Sequence, residues 1–404
     1  MHSDPEQLRE KQITIKFALG TIFFIMLMDV IGISILYPVA AYIVKRYSAA
    51  ALMVSMLTVI YAAAQFFAAP ALGRLGDRYG RRPVLLVSVF GSMIGYLIFG
   101  MGGALWVLFL SRLIDGITAG NMSTASAYIA DISKPEERAK NFGLIGVAWG
   151  VGLIIGPALG AVLGQINLAL PAFVAAGLSL LSLFLAFYLL PESLPDKLRD
   201  TAPIRTADLN PFASIHGLAR RSALGRLFLV LCLFNFVFNG INSTQTLFLI
   251  EKFSVQPWQL GLLLALAGIT VAVVQAVFVQ RFVSRFGENM IAAISLFGQG
   301  LGAVGIFLAP AFWLIYPLSV LNSTFSTFTF PTIGTLASNS VAAHEQGSLM
   351  GVTTALGSLM SIFGPLWAGL IYDHMGPNTP YWLGAVLYML AGLILEFRRR
   401  GLPA

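Results

Sequence analysis

Gly73-Arg74-Leu75-Gly76-Asp77-Arg78-Tyr79-Gly80-Arg81-Arg82 is a dense cluster of charge set between two long apolar runs, Ala50–Leu72 and Pro83–Phe99. Runs of that length match a helix that crosses a bilayer. Arginines are expensive to carry through hydrocarbon, so the positive-inside rule keeps a loop this rich in them cytoplasmic. Its glycines suit a sharp turn, since Gly adopts backbone conformations that other residues avoid.

The rest of the chain has the same character. Of its 404 residues, 57% are hydrophobic and 11% charged, whereas soluble domains carry about 25% charged residues. With a mean hydropathy of +0.81, this is a chain dissolved in lipid. The net charge of +7 does not signal a nucleic-acid partner, because the basic residues sit in short loops and tails and not on one face. They read as orientation signals. The single cysteine, Cys232, lies inside an apolar run, which excludes an intrachain disulfide framework and a cysteine-based metal site. No metal and no cofactor is expected. Met1–Gln12 is polar and of mixed charge, without a signal-peptide pattern, so the first span is expected to act as an uncleaved insertion signal.

Twelve spans are expected, near 14–38, 50–72, 83–103, 105–130, 142–164, 170–190, 226–250, 258–280, 290–309, 311–337, 347–371 and 381–397. Each is long enough for a hydrocarbon layer of about 30 Å. Between the sixth and seventh lies the one long polar segment, rich in Pro and charge, which reads as a linker. The expected division is therefore 1–190, a six-helix bundle; 191–225, a cytoplasmic linker; and 226–404, a second six-helix bundle. With the N-terminus inside, Lys45, Arg46 and Lys252 fall outside and Arg112 lies within a span. The others of the 25 Lys and Arg are cytoplasmic. Both termini are expected on the cytoplasmic side.

The two halves repeat. Glu137, Gly143 and Gly156-Pro157 recur at a constant offset as Glu345, Gly351 and Gly364-Pro365. Gly80 and Gly91 recur as Gly287 and Gly298, and Gln280–Gly287 looks like a worn copy of the opening loop with Ser284 at the position of Asp77. Two parallel six-helix halves around a site at the bilayer midplane is a transporter architecture. The fold class expected is an all-α integral membrane protein of two pseudo-symmetric six-helix bundles.

Charges inside spans are costly and mark function. Asp29 lies midway along the first span; Arg112 and Asp115 lie in the fourth. A carboxyl in an apolar setting is easier to neutralise than one in water, so Asp29 is suited to carry a proton. The plainer reading is that Asp29 and Arg112 pair to satisfy two buried charges. Asp115, three residues after Arg112, shares its helix face, and a local pair there would compete with Asp29 for the arginine. The fifth span carries Gly143, Gly152, Gly156, Pro157 and Gly160. Small residues let helices approach closely and the proline can bend the helix.

Taken together, Gly73-x-Leu75-x-Asp77-Arg78-x-Gly80-Arg81-Arg82, Asp29…Pro38, Arg112-x-x-x-Gly116, Ala127–Asp131, Glu137-Arg138-Ala139 and Pro191-Glu192-Ser193 resemble the major facilitator superfamily. The resemblance is to its twelve-helix drug/proton antiporters, and most closely to the tetracycline-efflux branch. It spans the whole chain and is stronger in the first half. The span-five glycines resemble the motif of proton-coupled antiporters, with Ala161 where that motif ends in Gly. The resemblance implies proton-coupled export of small lipophilic or amphiphilic compounds by alternating access, in a bacterial inner membrane. The implied partners are a small-molecule substrate, protons and the lipid bilayer, and the implied state is a monomer. It further implies that Arg112 assists proton transfer at Asp29. Asp77, Arg81 and Asp131, with Gly73, Arg78 and Gly80 shaping the loop, would form a conformational latch against the start of the eleventh span near Gly347.

The second half departs from that branch. Tetracycline exporters are expected to carry further acidic and His groups near the ninth span, and Leu296–Ala309 holds no charge, which argues against a metal–tetracycline cargo. Neutral groups are offered instead: Asn235, Asn239, Asn242, Gln245, Gln275, Gln299 and Asn322, with Phe328 nearby. The three asparagines of span seven share one helix face, and apolar walls with a few amides suit an amphiphilic organic molecule. The competing reading within transport is a symporter or uniporter for a metabolite, sugar or lipid, against which the span-five motif stands. A receptor would have little domain outside the membrane to signal with. An enzyme is not expected: neither His-Glu-x-x-His nor Gly-x-Ser-x-Gly occurs, and no nucleotide-binding loop is present.

Overall fold

The computed structural model describes residues 5–134, 137–195, 199, 222–341 and 346–400. Most of the expected linker lies outside them. In hydrocarbon every backbone N–H and C=O needs an internal partner, and a chain of apolar runs meets that need as helices. The chain folds as α1 (Pro5–Ser34), α2 (Ala40–Lys45), α3 (Ala51–Tyr79), α4 (Arg81–Met101), α5 (Leu105–Ile117), α6 (Asn121–Ile132), α7 (Arg138–Ile166) and α8 (Leu170–Leu189). It continues as α9 (Ser222–Phe253), α10 (Pro257–Val273), a π turn (Val274–Phe278), α11 (Val279–Phe286), α12 (Glu288–Leu308), α13 (Ile315–Ser338), α14 (Gln346–Met375) and α15 (Thr379–Arg400). No strand occurs among the described residues.

Among the described residues ten segments are long and apolar enough to cross a membrane by themselves, α10 through α11 forming one of them. The other two spans are instructive. α13 is rich in Ser and Thr, whose hydroxyls donate to carbonyls one turn back, as Thr327 does to Ser323 (2.7 Å) and Thr332 to Phe328 (2.7 Å). Those bonds make its polarity tolerable in lipid. The fourth span, expected to be continuous, is broken: α5 ends at Ile117 and α6 begins at Asn121. Gly116-Ile117-Thr118-Ala119-Gly120 is weak helix sequence, and Thr118 ties its own hydroxyl to Ile114 O at 2.9 Å. The first span also ends earlier than expected, at Ser34, before a turn that leads through Pro38 into α2.

The repeat is visible in the geometry. Gly80 (φ +100°) and Gly287 (φ +78°) are each the junction of two helices, in the left-handed region that favours glycine. Gly156 of α7 lies on Ile31 O and Ser34 of α1; its counterpart Gly364 of α14 lies on Phe236 O and Gly240 of α9. The first helix of each half is thus seated on the same glycine of its fifth span.

α7 packs on two sides. Gly152, Gly156, Gly160 and Gly164 face Val30, Ser34, Ile35 and Val39 of the first helix and the turn after it, while Gly143 has open space beside it. On its other face Ala161 fills the place where Gly261 of α10 lacks a side chain, and Leu153 and Ile154 lie against Gly268. The Ala at the end of the span-five motif is accommodated because the partner helix carries a glycine, Gly261, opposite it. α7 with α10 and α3 with α14 are the main joints between the first six spans and the last six.

This exchange of sizes is testable. Gly261→Ala alone should destabilise the protein by about 1–3 kcal/mol, the usual cost of overpacking. The swap Ala161→Gly with Gly261→Ala should recover most of that loss. Thermal unfolding of the detergent-solubilised protein reads both, and a swap as unstable as the single variant would refute the pairing.

Candidate functional site

Three constellations lie where the helices meet. The first surrounds Asp29, half-buried on α1. A Cβ on Gly32, one turn further along, would lie 3.3 Å from the ring of Tyr96, so α1 crosses α4 closely at this level. Asn121, at the first position of α6, donates from Nδ2 to Asp29 Oδ1 at 2.6 Å. Arg112 does not pair with Asp29. Its Nη1 lies 3.1 Å from Asp115 Oδ2, and its guanidinium stands 5.4 Å and 5.0 Å from the ring centres of Tyr96 and Phe99. Arg112 is 9% exposed and Asp115 2%. The short i,i+3 route wins because both groups leave the same turn of α5. Gly95 of α4 makes room for them: a Cβ there would lie 3.1 Å from Asp115 Cβ. Tyr37 and Tyr61 are within electrostatic reach of the group.

The second constellation is the Gly80 junction. Arg81 Nη2 lies 2.7 Å from Asp77 Oδ1, and its Nε 3.2 Å from Asp131 Oδ2, so the three residues expected to cluster do so. Gly76 lets the Arg81 side chain lie along α3, Gly73 faces open space, and Arg78 stands over its neighbour Tyr79. The expected contact at Gly347 lies outside the described side chains. Sequence reasoning gave Glu192 no role, yet its carboxylate accepts from Arg81 N (2.8 Å) and Arg82 N (3.2 Å) at the start of α4, and from Ser193 N and Leu194 N. An acid at a helix N-terminus satisfies otherwise unpaired amides and meets the positive end of the dipole. Ser193 also donates to Asp131 (3.0 Å), and Tyr128 to Pro191 O (2.8 Å), which ties the end of α8 into the cluster.

The third joins the two sets of six spans at the opposite end. Asp373 of α14 accepts from Ala51 N (2.7 Å) and Leu52 N (2.9 Å), capping α3 from another helix. Lys45 pairs with Glu251 (3.2 Å), which also accepts from Tyr372 (2.5 Å); Tyr42 donates to Val255 O, and Ser55 meets Ser243 at 3.3 Å. No local pattern announces these residues, because every partner is far away in sequence.

The amide face of the second half is only partly brought together. Asn235, Asn239 and Asn242 each donate to a carbonyl four residues earlier in α9, and Gln245 lies half-buried on the same helix. Asn242 and Gln275 are exposed. Two expected cavity residues differ. Gln299 is 1% exposed and donates to Thr329 Oγ1 at 2.7 Å, joining α12 to α13. Phe328 packs into a small core with Val274, Val279 and Ile291. Asn322 stands against Gly302 at the same α12–α13 joint. A buried amide must find a partner, and between packed helices that partner is the neighbouring helix. Among the described residues no group of His, Cys, Asp and Glu could hold a metal ion.

Comparison with known proteins gives this architecture its context. The profile of the Major Facilitator Superfamily matches residues 22–365 and 276–403. The class C tetracycline resistance protein of Escherichia coli is 34% identical, over 93% of this chain and 94% of its own. Multidrug resistance protein 1 of Bacillus subtilis is 28% identical over 94% of both chains. The crystal structure of the human organic anion transporter MFSD10 superposes with a TM-score of 0.71 at 24% identity, covering 94% of this chain and 99% of that one. Ten apolar segments among the described residues, a repeated half and relatives that are membrane transporters describe a multi-pass carrier and not an enzyme. The chain belongs to the major facilitator superfamily, in its tetracycline-efflux-like branch.

Proposed function

We propose that the protein exports small lipophilic or amphiphilic compounds in exchange for protons, the halves 1–190 and 226–404 rocking about a site at the midplane. The observation that carries this reading is the environment of Asp29. Its described partner is a neutral amide, while the nearby Arg112 is committed to Asp115. A carboxyl without its own counter-ion changes the local charge when it takes or loses a proton, which is what coupling to a gradient requires. Asp29 is then the proton carrier, with the Arg112–Asp115 pair setting the field around it.

In this reading both termini and the Gly80 junction face the cytoplasm of a bacterial inner membrane. The Asp77–Arg81–Asp131 cluster belongs to the cytoplasmic latch, and the Asp373, Glu251 and Lys45 contacts close the outer side. The cargo meets the amide-bearing face of α9, with Asn235, Asn239, Asn242 and Gln245. Kinship with resistance proteins for tetracycline and for multiple drugs supports export, and the uncharged ninth span favours a cargo other than a metal–tetracycline complex.

Inside-out vesicles holding a preformed pH gradient should release protons when given a substrate from a panel of lipophilic cations, neutral drugs and tetracyclines. Asp29→Asn should abolish that release and uphill efflux while retaining substrate binding. Efflux against a gradient at the wild-type rate in this variant would end the proton-carrier assignment. Asp77→Asn removes one partly exposed ion pair and should slow turnover by about two- to fivefold, leaving the pH dependence of binding in place. An unchanged rate would count against the latch.

A further inference from the structure

The residue that holds Asp29 reaches it through a break in the fourth span, and that break is built into its neighbours. Thr118 at the break occupies space that Gly91 of α4 leaves free, and a Cβ on Gly116 would lie 2.6 Å from Tyr61 O of α3. Gly120 fits under Leu72 and Ser88. Two helices, α3 and α4, therefore shape the interruption, and its result is that α6 starts inside the protein with Asn121 at its first position. Asn121 is 6% exposed. Its Nδ2 is engaged by Asp29, and its Oδ1 is buried without a hydrogen-bond partner. A buried, unpaired amide oxygen is costly in a native protein and calls for a reason.

We propose that Asn121 is the positioning residue for Asp29, its amide donating to the carboxylate through Nδ2 and accepting from the carboxylic acid through Oδ1. This rests on the proton-carrying role assigned to Asp29 above. An amide has both a donor and an acceptor end. When Asp29 takes a proton on a carboxylate oxygen, the amide turns over: the bond from Asn121 Nδ2 to the carboxylate is given up and the new O–H of Asp29 donates to Asn121 Oδ1 instead. One neutral side chain thereby satisfies both forms of the acid without adding a charge. An arginine would favour only the ionised form, and a hydrophobic residue only the neutral one.

The other groups around Asp29 do not duplicate this. Asp115 and Arg112 come from α5, and Arg112 is engaged with Asp115. Tyr96 comes from α4, Tyr61 from α3 and Tyr37 from the turn after α1. From α7 and α8 the side facing α1 offers Gly152, Gly156 and Ser182, which do not titrate. Among the described residues the Tyr96 hydroxyl is also buried without a hydrogen-bond partner, but Asn121 is the side chain already bonded to Asp29 and the one that carries a separate donor and acceptor.

The test compares wild type, Asn121→Leu and Asp29→Asn. In proteoliposomes, Asn121→Leu should lower the maximal exchange rate by about tenfold or more, with KM unchanged. The pH dependence of exchange should be displaced by about half a unit or more. Infrared difference spectra on acidification should contain a carbonyl band of protonated Asp29, absent in Asp29→Asn and shifted in Asn121→Leu. Wild-type protein with carbon-13 in its asparagine amides provides a readout that needs no change at Asn121. Acidification should perturb one amide carbonyl there, and none in Asp29→Asn. An unperturbed amide band in wild type overturns the inference, as does a folded Asn121→Leu with the wild-type pH profile. If Asp29→Asn itself exchanges normally, the proton-carrier assignment fails instead, and the two failures are told apart by that variant.

Discussion

Two helix backbones can touch only where side chains are missing, and α7 meets this condition on both of its packed faces. On one side its glycines admit α1, which brings Asp29 to its place among α4, α5 and α6. On the other, Ala161 enters the gap left by Gly261 and joins the first six spans to the last six. Lipid gives packed apolar helices no hydrophobic reward for leaving it, so close contact of this kind has to hold them together. The polar groups follow from that geometry: Ser34, on the α1 face seated against α7, donates to Gly152 O at 3.0 Å.

Charge inside the protein is then arranged by reach. Arg112 takes the acid on its own helix turn and rests on two aromatic rings, which leaves Asp29 to a neutral partner from a different helix. At the Gly80 junction and at the opposite end, carboxylates are placed on helix N-termini, Glu192 on α4 and Asp373 on α3. Each answers a local need, amides with no partner within their own helix. Neither acid belongs to the helix it caps, so each also ties together segments remote in sequence.

Much of this was legible in the chain. Hydropathy foretold the membrane-crossing helices, and the recurrence of Gly80 as Gly287 and of Gly156 as Gly364 at nearly the same spacing foretold that each pair plays one structural part. The Asp77–Arg81–Asp131 cluster was reached through family resemblance, and the Arg112–Asp115 pair through helical spacing. What escaped were consequences of packing between distant positions. The break at Thr118–Gly120 depends on Gly91 and Tyr61, which no window around residue 118 contains, and without the break nothing aims Asn121 at Asp29. Gln299 and Phe328 were assigned to a cavity from composition, since a polar or aromatic group in a span looks the same whether it faces a ligand or a neighbouring helix.

The α7–α10 joint has a mechanical consequence. Where Ala161 meets Gly261 and where Leu153 and Ile154 meet Gly268, no long side chain stands between the two helices. A flexible side chain at such a joint could yield when one helix shifts on the other; a methyl group against bare backbone cannot. The spacing of α7 and α10 is therefore held fixed, and in the exchange proposed above any movement between the two sets of spans has to turn about this joint instead of stretching it.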